Sequence, residues 1–156
     1  MPSYVSFVIS FAFIGIMWVN HHRMFTHIRR CDDALLAFNL LLLMGVTAVP
    51  FPTSVLAAHL GGPDQRTAAA LFNGTFLAIA IVFNVLWRYA ASGRRRLLSV
   101  ETDAASVTRI TRQYAFGPLM YLACLVLVWV SVPASLLLNV SLACFFAFPP
   151  HRIRAL

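Results

Sequence analysis

Lysine is absent from this chain, and glutamate occurs once, at Glu101. Charged side chains make up 11% of the 156 residues, where a soluble domain carries about 25%. So sparse a supply of charge excludes a water-covered globule, and the chain is read as an integral membrane protein. Cysteine is also scarce. Cys31, Cys124 and Cys144 form no C-x-x-C pair, which excludes a disulfide framework, and two of the three lie inside apolar runs as small hydrophobes. No arginine precedes the first apolar run and no small-x-small cleavage site follows it, so it is expected to stay in the mature protein rather than act as a cleaved signal. None of the five acids falls inside an apolar run: Asp32, Asp33, Asp64, Glu101 and Asp103 all map to loops. A proton-coupled carrier usually needs an ionisable group within the bilayer.

What is abundant is apolar surface, at 60% of residues, in stretches of the roughly 17 to 25 residues that cross about 30 Å of hydrocarbon as a helix. Five spans are expected, at about 4–20, 34–57, 67–91, 114–132 and 134–148, as a single transmembrane domain over 1–156. The fold class is therefore all-α, a polytopic transmembrane helical bundle. Pro50 and Pro52 remove backbone donors and predict a kink or early end in the second span. The turn Ser131, Val132, Pro133 predicts a hairpin between the last two spans. Thr102 or Asp103 is placed to cap a helix leading into the fourth.

All twelve basic residues are arginines, and the formal net charge is +7. No nucleic-acid-binding motif accompanies them, so anionic lipid and topology explain the charge, and no nucleic-acid partner is expected. With five spans, Arg23, Arg29, Arg30, Arg88, Arg94, Arg95, Arg96, Arg109, Arg112, Arg152 and Arg154 fall on one side and Arg66 alone on the other. That asymmetry places the basic loops and the C-terminus in the cytoplasm and the N-terminus outside. The Arg94 to Arg96 cluster marks topology first and attracts anionic membrane lipid second.

The stretch GIMWVNHHRMF, at 15–25, closes the first span with paired histidines. His21 and His22 point about 100° apart on a helix and His22 and His27 are five residues apart, so they do not share one face. His59 and His151 lie in the outer loop and the tail, and a metal or haem site needs ligands converging at one depth. No metal and no cofactor is expected, and the histidines are read as an interfacial polar cap. No serine or cysteine has a histidine at a matching depth, so no enzyme activity is expected. The polar residues left within the spans are Asn39, Asn73, Thr75, Asn84, Asn139 and Ser141, which read as bonds between helices. Asn39 begins roughly 9 Å inside the second helix, the depth at which the antiparallel first helix ends. A cluster of Trp18, Asn20, His21 and His22 with Asn39 is the candidate site.

The segments FIGIMWVNHHRMF (13–25), ALLAFNLLLLMGVTAVPFPTSVLA (34–57) and FNVLWRYA (83–90) resemble the bacterial TMEM175 family of potassium-permeable channels. The combination is aromatic-Val-Asn-His-His-Arg at a helix end, then Asn-Leu-Leu-Leu-Leu, then Pro-Phe-Pro-Thr. With the arginine pattern, the similarity covers nearly the whole chain. The resemblance implies a six-helix subunit of a bacterial plasma-membrane channel, a tetramer around a central pore that passes potassium ions passively. It also implies a first helix with an Arg-x-x-x-Phe-Ser-Asp motif, and no such motif occurs here. Trp18, Asn20, His21, His22 and Asn39 would then lie behind that pore helix, where histidine protonation would tune gating. Three accounts of the difference stay open: a natural start upstream of Met1, a truncated or decayed gene, or a five-helix non-conducting partner.

Overall fold

A computed structural model describes residues 2–92, 97–99 and 102–147. The arginine cluster 94–96, Glu101, His151, Arg152, Arg154 and the last residue of the fifth expected span lie outside the described residues. Among the described residues, six helices follow one another: α1 (Pro2–Phe25), α2 (Asp33–Ala48), α3 (Pro50–His59), α4 (Gln65–Ala91), α5 (Ala104–Leu127) and α6 (Val132–Ala147).

The second apolar run accounts for two of them. Pro50 has no N–H to return to the carbonyl of Val46, so α2 stops at Ala48 and the Val49 amide takes that carbonyl instead, at 3.2 Å. Pro50 then opens α3, where a missing donor costs nothing. Thr53 closes the joint by sending both its amide and its hydroxyl to the Val49 carbonyl. The break redirects the chain: α1 packs chiefly on α3 and diverges from α2. Beyond α3, Gly61 adopts φ 82°, a left-handed conformation that only glycine takes at little cost, and the chain turns into α4.

At 27 residues, α4 is about 40 Å long. It forms the axis of the bundle and packs against α2, α3, α5 and α6. Phe76, Leu86 and Trp87 are enclosed along it, and the Trp87 indole nitrogen donates to the Thr111 hydroxyl of α5 at 2.9 Å. Phe13, Phe72, Phe76 and Tyr121 form an aromatic core where α1, α4 and α5 meet. The outward faces are apolar as well: Phe7, Phe11, Leu40, Met44, Trp129 and Val130 are exposed, the pattern of a bundle solvated by lipid.

Among the described residues, three segments are long and apolar enough to cross a membrane: Tyr4–Phe25, Asp33–His59 and Gln65–Ala91. Helix α6 is apolar but shorter, at 16 residues. Helix α5 starts ten residues before the expected fourth span, because Asp103 accepts from the Ser106 amide and caps a polar first stretch carrying Arg109 and Arg112. It ends at Leu127 rather than 132. The α5–α6 turn occupies 128–131, and Pro133 sits inside the first turn of α6. At the opposite end, the α1–α2 and α4–α5 connections pair through their main chains. Ile28 bridges Leu98, the amides of Arg29 and Arg30 both donate to the Leu97 carbonyl, and the Ser99 amide donates to that of His27.

Candidate functional site

The polar end of α1 reaches the start of α2 where the two helices splay apart. His21 Nε2 lies 2.7 Å from Asn39 Oδ1; the amide oxygen accepts, so Nε2 carries the proton. Phe25, one turn further along α1, stacks on the His21 ring at 4.4 Å and fixes its plane. Trp18 and His22 stack on each other at 5.4 Å and 10° on a different face, with Trp18 61% exposed. Asn20 points into the bundle. Its amide nitrogen donates to the Ile16 carbonyl at 2.8 Å and to the Phe146 carbonyl of α6 at 3.1 Å. The five residues thus divide into three local arrangements: His21 with Asn39, Trp18 with His22, and Asn20 with α6. Successive residues of α1 point about 100° apart, which is why neighbours in sequence part in space.

Sequence reasoning passed over several partners of this region. Tyr114 of α5 donates its hydroxyl to the Asn20 carbonyl at 3.3 Å. Asp32 caps α2 through the Leu35 amide at 2.9 Å and accepts the Tyr89 hydroxyl at 2.8 Å, tying α2 to the end of α4. Arg23, read as a topology marker, has one guanidinium nitrogen, Nη1, enclosed without an acceptor. Between α1, α4, α5 and α6 lies a cavity of about 60 Å³ bordered by Ile16, Asn20, Phe83, Tyr114, Tyr121 and Phe146.

A second polar cluster sits at the other end. Asn73 Nδ2 donates to Ala69 O at 2.9 Å and to Ser135 Oγ at 3.1 Å; Ser135 Oγ donates to Cys124 O at 2.7 Å. Asn139 Nδ2 donates to Asn73 Oδ1 at 2.9 Å, while Asn139 Oδ1 accepts nothing. Asn73 and Asn139 behave as bonds between helices. Ser135 was the missing member, and its place four residues before Asn139, on the same face of α6, was the available signal. Thr75 and Ser141 instead bond the carbonyls of Leu71 and Leu137 within their own helices.

Among the described residues, no three His, Cys, Asp or Glu side chains come close enough to hold a metal ion. What remains is a scaffold: two helices joined by one imidazole–amide bond at a mouth of the bundle, backed by a fixed aromatic core.

These features define an integral membrane protein built as a polytopic α-helical bundle. Residues 1–50 match the family described as "Endosomal/lysosomal potassium channel TMEM175". A potassium channel of Chamaesiphon minutus is 51% identical over 146 residues, covering 94% of this chain and 71% of the relative. A potassium channel of Streptomyces collinus is 41% identical over 149 residues, again covering 94% and 71%. The crystal structure of a lysosomal potassium-selective channel TMEM175 homolog from Chamaesiphon minutus superimposes with a TM-score of 0.80 at 49% identity, over 94% of this chain and 72% of that one. The chain belongs to the TMEM175 family.

Proposed function

We propose that this chain is a subunit of a potassium-permeable channel that passes ions passively down their gradient and performs no catalytic chemistry. The observation that carries the reading is the 51% identity to a potassium channel across 94% of the chain, supported by helices that overlay a potassium-selective homologue. Among the described residues, the interior of the bundle is filled by side chains such as Phe76 and Trp87. The pore therefore forms between subunits, in a homo-oligomer of the tetrameric type. The membrane is the bacterial plasma membrane, with the α1–α2 and α4–α5 connections on the cytoplasmic side, where their arginines belong. Of the five candidate residues Trp18, Asn20, His21, His22 and Asn39, the bonded pair His21 and Asn39 supplies polar backing behind the pore and holds α1 to α2 there.

Reconstitution of the 156-residue chain in liposomes with a potassium gradient tests this directly. Potassium efflux well above that of empty vesicles is expected, with sodium passing more slowly. Efflux equal to that of empty vesicles would overturn conduction by this chain.

A further inference from the structure

The stretch FNVLWRYA, at 83–90, ends α4, and its aromatic residues fix how α4 meets α5. Phe76 packs on Tyr121, Phe83 packs on Tyr114, and the Trp87 indole donates to the Thr111 hydroxyl at 2.9 Å, so the two helices run antiparallel. In such a pair of right-handed helices, the residue that follows each of two facing residues turns by about 100° toward the same side. Arg88 and Arg112 are those residues, and both are exposed. Neither guanidinium has an acid or a carbonyl as partner among the described residues.

Asn84 lies one turn deeper, four residues before Arg88 on the same face of α4. Its place in the span predicts a bond to a neighbouring helix, yet among the described residues its side chain makes no hydrogen bond and stays partly exposed. An amide left unpaired in hydrocarbon is costly. Deeper still, Ile81 and Leu119 are exposed, each seven residues from its arginine and so on the same stripe of its helix. The face therefore changes with depth in a fixed order: two unpaired cations at the rim, an amide with free donors about 6 Å further in, then apolar side chains.

That order is also the order of groups in a glycerophospholipid: phosphate, ester carbonyls, acyl chains. A free inorganic anion would meet the arginines and leave Asn84 unanswered, and a zwitterionic lipid brings no net charge to the rim. The inner leaflet supplies anionic phospholipid at this depth. We propose that the α4–α5 face carrying Asn84, Arg88 and Arg112 binds one anionic phospholipid. Its phosphate accepts from both guanidinium groups, an ester carbonyl accepts from the Asn84 amide nitrogen, and its chains lie along Ile81 and Leu119. The choice of leaflet rests on the orientation proposed above; binding is measured without ion flux, so failure of the site is distinguishable from failure of the channel reading.

The test is thermal unfolding of the purified 156-residue chain in detergent with added phosphatidylglycerol, phosphatidylcholine or millimolar inorganic phosphate. Phosphatidylglycerol at about ten times its dissociation constant is expected to raise the midpoint by about 4 °C, and phosphatidylcholine or phosphate to leave it in place. Arg88→Gln and Arg112→Gln are each expected to lose at least half of that shift, and Asn84→Leu a smaller part of it. Arg109→Gln should keep the shift in full, because Arg109 is exposed at the same end but turns elsewhere on α5 and donates to the Ser106 hydroxyl at 2.9 Å. An equal loss in Arg109→Gln and Arg88→Gln would mean diffuse attraction of charge and overturns the proposal. A shift produced by inorganic phosphate alone overturns it too, as does an undiminished shift in Asn84→Leu. Should Arg88→Gln fail to fold, Arg112→Gln carries the same comparison with Arg109→Gln, with the same outcomes.

Discussion

At one end of the bundle Asn73, Ser135 and Asn139 join α4 and α6 and reach the α5 main chain, with no accessible surface at all. At the other end His21 and Asn39 join α1 and α2 through a single contact and stay partly exposed. The chemistry is similar, amides and a ring nitrogen, but the surroundings differ. The first cluster is closed: its partners are all protein, and little room is left for anything else. The second is open. Asn39 has an amide nitrogen to spare and His21 a second ring nitrogen, so the pair can accept a neighbour without breaking its own bond. Closed polar clusters hold a bundle in register, whereas open ones at a mouth suit contact with whatever packs next to the subunit.

The difference can be broken by substitution, and the largest effect is expected in the closed cluster. Asn73→Leu removes two interhelical bonds, strands the Asn139 amide and leaves the Ser135 hydroxyl only its bond to the Cys124 carbonyl, and should cost about 2 kcal/mol in a denaturation titration in mixed micelles. A loss no greater than that of an exposed substitution such as Ser54→Ala would erase the distinction. Asn39→Ala, in the open cluster, is expected to cost only about 0.6 kcal/mol in the same titration, because both partners can turn to other donors or water. A cost as large as that of Asn73→Leu would make the open pair as structural as the closed one.

The smallest effect is expected at Asp103, which belongs to neither cluster and calibrates the scale. Its hydrogen bond with Ser106 holds the exposed carboxyl below the usual aspartate range. The folded value is depressed, so its contribution is fully present above the unfolded aspartate value and is lost as pH falls through the folded one. Hydrogen exchange at the Ser106 amide should therefore lose protection on acidification in the parent chain. In Asp103→Asn, acidification should cause no such further loss.

Much of this architecture was legible in sequence, for identifiable reasons. Apolar runs of membrane length report helices directly, because a backbone in hydrocarbon has few other ways to pair its polar groups. Pro50 announced the break between α2 and α3, since the missing donor acts locally. The start of α5 was hinted by Asp103, yet the helix begins well before the apolar run; a capped polar turn carries no hydropathy signal. At the candidate site, proximity of His21 and Asn39 followed from depth along two antiparallel helices. The turning of Asn20 toward Phe146 did not, because it depends on the rotation of α1 and on where a non-adjacent helix packs. The orphaned Arg23 nitrogen was invisible for the same reason: charge can be counted in a sequence, whereas enclosure is decided by the fold.

Among the described residues, the α1–α2 and α4–α5 connections pair through peptide groups, by way of Ile28 and Leu98 and the carbonyls of His27 and Leu97. The main-chain bonds of that clasp do not themselves depend on which side chains adorn it. These connections can therefore drift in sequence, exchanging arginine for other residues as lipid surroundings change, while the ends of α1, α2 and α4 stay fastened to the approach to α5. Only proline, which lacks the amide, or a change in loop length would undo the fastening, so descendants of this chain have wide freedom of composition here and little freedom of length.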